Sequence, residues 1–220
     1  YLTQRPGVML RSLLAMYLVV PLLALSAVKL LQLPTGLELA LVVLAISAGA
    51  PMLPRKLMRL GNAEYVISLV IVSSLLAIVT VPAWLLLLGP RFDRLEALDP
   101  ATVAGVLGKS FLLPMLLGIT VRWFLPNASA RLSDVLLKFV GIVFSACALL
   151  LLATHWQVVG AILGPPILAL GGFTLAALGV GHLMGGPDPN YRTALAVTCA
   201  TRHIGVAMVI AAATPGPRTV

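Results

Sequence analysis

Long apolar stretches follow one another along almost the whole sequence, separated by short polar connections. We identify seven, at residues 8–31, 37–61, 65–88, 103–124, 132–153, 158–184 and 191–213. Each is close to or above the roughly 20 residues with which a helix crosses the hydrocarbon core of a bilayer. The pattern therefore predicts an all-α, polytopic membrane protein with about seven spans.

The composition excludes most other classes of protein. Only 10% of the 220 residues are charged and 60% are hydrophobic, whereas soluble domains carry roughly 25% charged residues. A soluble enzyme, a nucleic-acid-binding protein and a disordered chain are thereby excluded. We treat residues 1–220 as a single transmembrane domain, and because the chain begins at Tyr1 rather than Met, we expect it to be a piece of a longer protein.

The net charge of +8 lies mainly at the ends of the apolar stretches. Alternate crossing of the bilayer brings most of the basic residues to one face: Arg5, Arg11, Arg55, Lys56, Arg59, Arg122, Arg131, Lys138 and Arg192. Such an excess marks the cytoplasmic side of a membrane protein. We therefore predict a multi-pass protein of the plasma or inner membrane, with the start of this chain in the cytoplasm.

Two of the stretches are interrupted in the middle. The second contains SAGAPMLP at residues 47–54, and its two prolines and small residues do not continue a helix. Backbone groups without partners cost several kcal/mol each at that depth, so such a break survives only where it lines a cavity or packs within protein.

The seventh stretch places Arg202 and His203 about halfway across, beside Thr198. An Arg at the bilayer centre is disfavoured by at least about 2.5 kcal/mol, so it must face a partner, water or a substrate. The second and seventh stretches cross in opposite directions, and many secondary transporters bind substrate where such inverted, interrupted helices meet. The predicted substrate contacts are Ser47, Ala48, Gly49, Ala50, Pro51, Thr198, Arg202 and His203.

Four short sequences carry a family resemblance: SAGAP at 47–51, LGN at 60–62, SSLLA at 73–77 and RTALAVTCATRHIGVA at 192–207. In their order and spacing, the chain resembles the bile acid:sodium symporter family, of the bile, arsenite and auxin-type carrier superfamily. The resemblance implies ten spans in two inverted repeats, with core and panel domains. On that register, this chain corresponds to the third to ninth helices of the family.

The sodium ligands implied by the resemblance are missing here. The family uses Glu, Gln and Asn on the second broken helix, where this chain has Thr198, Arg202 and His203, and Asn and Ser on the first, where it has Met52 and Leu53. We therefore predict no bound metal or cofactor and no ordinary sodium coupling. In one hypothesis Arg202 replaces a sodium ion and attracts an anionic substrate; in the other it caps backbone carbonyls at the break.

Other polar residues within the stretches are weaker candidates. Ser73 and Ser74 offer hydroxyl groups beside the first break, although Ser in a membrane helix usually bonds to its own turn. Lys109 lies a few residues into the fourth stretch, where it belongs to the translocation path or extends its side chain to the interface.

The sequence favours a secondary transporter of a small organic anion, bile-acid-like or another carboxylate. Neither HExxH nor GxSxG occurs, so we predict no catalytic residues and no enzyme. The alternatives are a channel, a scaffold-like membrane protein with a structural helix break, or an arsenite-type efflux carrier. The expected partners are the anionic substrate and the lipid bilayer, without nucleic acid, and both a monomer and a homodimer stay open.

Overall fold

The computed structural model describes residues 6–47, 63–92, 95, 98–154, 156, 160 and 164–213. These residues contain helices and no strands. The helices are α1 (Pro6–Leu31), α2 (Thr35–Ile46), α3 (Ala63–Leu88), α4 (Pro100–Phe124), α5 (Pro126–Thr154), α6 (Pro165–Met184), α7 (Pro189–Ala200) and α8 (Ile204–Ala213). Among the described residues, five helices are long and apolar enough to cross a membrane, namely α1, α3, α4, α5 and α6. The prediction of an all-helical, multi-pass membrane protein is confirmed.

The second and seventh stretches differ from these long helices. In the second stretch α2 ends at Ile46 after 12 residues, and the seventh is divided into α7 and α8. The predicted contacts Ala48, Gly49, Ala50 and Pro51 lie outside the described residues. A further difference concerns Pro165, which the sequence placed inside a span and which instead begins α6. Proline suits a first helical turn because the N–H it lacks has no helical partner there.

The chain divides into two compact units. The first contains Tyr1–Lys109 and Leu170–Val220, and the second contains Ser110–Ala169. In the first unit, α1 packs against α2 and α3, α2 packs against α8, and α7 packs against α1. Its core includes the buried side chains of Met9, Met16, Leu41, Ile46, Tyr65, Leu69, Leu195 and Ile210.

The second unit consists mainly of the end of α4 and of α5. From Val135 to Thr154 every side chain of α5 is exposed, and most of that surface is apolar, for example at Phe139 and Ile142. An apolar helix exposed in this way is suited to contact with lipid tails, since its backbone hydrogen bonds are satisfied within the helix.

One turn of α1 is wider than an ordinary α-helical turn, and it lies just before a proline, Pro21. Residues Ala15–Val19 form a π turn, closed by a hydrogen bond from Val20 N–H to the carbonyl of Ala15. Pro21 has no N–H to donate to the carbonyl of Tyr17 four residues earlier. Trp84 on α3 supplies the missing donor, since its Nε1 lies 3.0 Å from that oxygen. The Tyr17 hydroxyl in turn donates to the carbonyl of Ser73, so the π turn joins α1 to α3 twice.

The start of α4 is fixed by Asp99. Its carboxylate accepts hydrogen bonds from the hydroxyl of Thr102 and from the N–H groups of Thr102 and Ala101. These bonds, that from the Thr102 hydroxyl first, hold the pKa of Asp99 below its usual value because they favour the ionised carboxylate. The aqueous end of α4 is thereby capped.

Gly181 allows α6 and α7 to approach with their backbones almost in contact. A Cβ atom at this position would lie 2.5 Å from the Cα of Ala196 and 2.6 Å from the carbonyl oxygen of Leu195. Two residues earlier, a Cβ atom at Gly179 would meet nothing within 4 Å. Gly179 and Gly181 therefore have different roles, and of these two only Gly181 is required for packing.

The substitution Gly181→Ala should destabilise the protein by about 1–3 kcal/mol, because the added methyl group forces two backbones apart. Thermal unfolding in detergent measures the effect. The control Gly179→Ala should leave the melting temperature unchanged or slightly raised. Equal melting of the two variants would contradict the close approach of α6 and α7.

Candidate functional site

Local hydrogen bonds stabilise the interruption of the seventh stretch, between α7 and α8. α7 ends at Ala200, and Thr201 adopts an extended conformation with φ −94° and ψ 115°. The N–H and hydroxyl of Thr201 both donate to the carbonyl of Val197, at 2.9 and 2.7 Å. At the start of α8, His203 Nδ1 accepts from the N–H of Val206 at 3.3 Å. A side chain thus bonds one backbone group at each end of the interruption, and the backbone between the two helices leaves the helical path.

The end of α2 meets this interruption directly. Ser47 is fully buried, and its hydroxyl donates to the carbonyl of Val43 at 2.7 Å. Its own carbonyl accepts a hydrogen bond of 3.0 Å from the N–H of His203. A residue just after α2 is therefore bonded to a residue just before α8, and we call this meeting point the crossing (Ser47, Arg202 and His203).

Arg202 carries a buried positive charge at the crossing. Its side chain is 6% exposed, and Nε, Nη1 and Nη2 have no hydrogen-bond acceptor in the part of the chain that the structure describes. Arg202 interacts electrostatically with Cys199 and Tyr17, which are uncharged as thiol and hydroxyl. The carbonyl-capping hypothesis therefore finds no support among the described carbonyls.

No carboxylate is among the described groups that interact electrostatically with Arg202, and Glu38 and Glu64 lie in the first turns of α2 and α3. The chain has seven acidic residues, and none lies in α1, in α7 or α8, or in residues 47–62. A buried charge without a counter-charge is strongly destabilising, by several kcal/mol. The crossing is therefore a site where an anion from outside the protein would be stabilised, through the two-pronged hydrogen bonding of a guanidinium to a carboxylate.

Buried polar side chains continue from the crossing along α1, α3 and α7. Tyr65 interacts electrostatically with Cys199 and lies 5.0 Å from Tyr191 between ring centroids. The Ser12 hydroxyl donates to the carbonyl of Val8 and shares a 2.6 Å hydrogen bond with the Tyr65 hydroxyl, in which either group can be the donor. We call Ser12, Tyr17, Tyr65 and Cys199 the polar column.

A cavity of about 120 Å³ lies near the start of α7, and Arg11, Asp188 and Tyr191 are among the residues that line it. Tyr17, Tyr65 and Ser12 were not among the residues predicted from the sequence. The available signal was their polarity within apolar stretches.

The remaining predicted residues have more local roles. Thr198 is buried and donates to the carbonyl of Ala194, in its own turn. The Ser73 hydroxyl likewise donates to Val70, at 3.1 Å. Ser74 is half-buried and Lys109 is exposed, and no described hydrogen bond joins either to the crossing.

Comparison with known proteins gives one family match to report. The model described as the Sodium Bile acid symporter family matches residues 1–162, about three quarters of the chain. The match includes α1 to α5 and the first interruption, whereas α7, Arg202 and α8 follow it in the sequence. No curated protein matches the chain at a significant level.

The hydrogen bond between Ser12 and Tyr65 should contribute measurably to stability because both side chains are buried. We expect Ser12→Ala to lower the free energy of unfolding by about 1–2 kcal/mol. Ser26 on the same helix also donates to the carbonyl four residues earlier, but it is exposed, so Ser26→Ala is a matched control and should have little effect. Similar losses in both variants, measured by thermal unfolding in detergent, would argue against the polar column.

Proposed function

Because this chain belongs to the sodium bile acid symporter family, we propose that it is a secondary carrier that moves a small organic anion across the membrane by alternating access. Members of the family are transporters rather than enzymes. Together with the membrane-spanning helices, this supports a small solute as substrate and the bilayer as the site of action. The family alone does not distinguish one anion from another.

The observation that carries the proposal is the buried guanidinium of Arg202, without an acceptor among the described residues. In a site of low polarity its attraction for an anion is stronger than in water. The N-terminus of α8 adds positive potential at the same place. A carboxylate is the ligand that best matches this donor group, because its two oxygens accept the paired N–H groups of a guanidinium.

The same residues argue against sodium as the coupling ion. Arg202 already supplies a positive charge at the crossing, and a second cation close to it would be repelled. We therefore propose that anion binding and transport do not require sodium, with Arg202 in the role of a fixed cation.

Enclosure of the charge favours a carrier over a channel. A conducting pore would keep the guanidinium in water, whereas here it is 6% exposed. We further propose that α1 begins at the cytoplasmic face, since that face receives most of the basic residues outside the spans.

Arg202→Gln should abolish saturable uptake of the anion, because the uncharged amide replaces the guanidinium. We expect binding to weaken by about 3 kcal/mol, roughly a hundredfold in affinity. The measurements are uptake into proteoliposomes and the thermal shift of the purified protein with taurocholate, pyruvate and acetate, in sodium chloride and in choline chloride. Arg122→Gln, an exposed arginine on α4, is the charge-matched control and should behave like the wild type.

Three outcomes would contradict parts of the proposal. Normal uptake by Arg202→Gln would remove the guanidinium from substrate binding. Uptake in sodium chloride that disappears in choline chloride would overturn sodium independence while leaving the carrier assignment intact. Channel-like conductance in planar bilayers would replace the carrier with a pore.

A further inference from the structure

The positive charge of Arg202 at the crossing is enclosed by protein. The guanidinium nitrogens of Arg202 are buried, and no described residue accepts a hydrogen bond from them. Two neighbours, Tyr17 and Cys199, lie within electrostatic range, and the Tyr17 hydroxyl already donates its hydrogen to the carbonyl of Ser73. Both offer a dipole rather than a counter-charge.

A guanidinium remains protonated in proteins, so the crossing cannot lose this charge by titration. In a carrier open to either side of the membrane, water can solvate the charge. When the crossing is enclosed, as in this conformation, only a bound anion or an acidic side chain can compensate it. No acidic residue stands in α1, α7, α8 or residues 47–62.

Alternating access passes through enclosed conformations on both the outward and the return step. A carrier loaded with a monovalent carboxylate makes this passage with the charge of Arg202 paired. An unloaded carrier makes it with a buried, unpaired charge, which raises the barrier. The loaded step should therefore be much faster than the unloaded return.

We propose that this protein is an anion exchanger, in which each inward movement of one monovalent carboxylate is followed by the outward movement of another because Arg202 needs an anion whenever the crossing closes. This inference rests on the proposed carrier function. It adds the mode of transport, since net uptake of an anion requires the unloaded return and exchange does not.

Trans-stimulation of the reconstituted protein tests the exchange mode. Liposomes are loaded either with the unlabelled anion or with potassium sulfate. Uptake of radiolabelled taurocholate, pyruvate and acetate is then measured with valinomycin and equal potassium on both sides, so that no membrane potential opposes net movement. We expect uptake to be about tenfold faster, or more, with the same anion inside, because unloaded return limits the other case.

The outcomes distinguish a failure of the exchange mode from a failure of the carrier function. Equal rates with anion and with sulfate inside would overturn exchange and leave the carrier function standing. Absence of uptake in both cases, together with absence of a thermal shift by any of the three anions, would overturn the carrier function itself.

A second measurement tests the unpaired charge without transport. Cys199→Asp places a carboxylate within electrostatic range of Arg202, and Cys199→Asn is the matched uncharged control. In the absence of added anion the Asp variant should melt several degrees above the Asn variant, since its carboxylate compensates the guanidinium. The Asp variant should also lose the shift that an anion produces. Equal melting of the two variants would remove the premise that Arg202 lacks a counter-charge.

Discussion

Backbone N–H and C=O groups that leave a helix inside the bilayer need partners from the protein itself, because the lipid offers none. In this chain such groups supply the contacts between helices that are distant in sequence. The carbonyl of Ser47 accepts from His203, and the carbonyl of Tyr17, which Pro21 cannot serve, accepts from Trp84. Irregular backbone therefore contributes directly to the tertiary structure around the crossing.

The position of the Arg202 charge at the crossing depends on this irregular backbone. Because α7 stops at Ala200 and α8 starts at Ile204, Arg202 leaves the helix beside Ser47 instead of continuing along α7. Two members of the polar column, Tyr17 and Cys199, then offer the charge an uncharged hydroxyl and an uncharged thiol. A fixed cation with weakly polar neighbours discriminates by charge sign, whereas a ring of carboxylates or carbonyls would select cations.

The helices and the unusual character of the second and seventh stretches could be predicted, since both depend on features local to the sequence. Apolar length fixes a spanning helix, and a charged residue such as Arg202 in the middle of one marks an exception. The hydrogen bond of Ser12 to Tyr65 could not be predicted in this way. Spans such as α3 are apolar nearly all round, so no polar face reveals which side packs against a neighbour.

The start of α6 is a second feature that could not be predicted from the local sequence. Proline inside a span is tolerated in membranes as a kink, so the sequence predicts Pro165 within a span, whereas the structure has a helix start there. The family match to residues 1–162 likewise carries no information on Arg202. The hydrogen bond between the N–H of His203 and the carbonyl of Ser47 is what places Arg202 at the crossing.

The π turn of α1 has a consequence for how this helix tolerates change in length. A π turn holds one residue more than the α-helical turn it replaces, so Ala15–Val19 is in effect a one-residue insertion absorbed by the helix. Removing one residue there would leave an ordinary α-helix with both flanks in place. An α-helix that kept all of these residues would instead rotate everything before the turn by about 100° relative to everything after. Ser12 would then turn away from Tyr65 while Val28 kept its place, so packing on both sides requires the π turn as long as the segment has its present length.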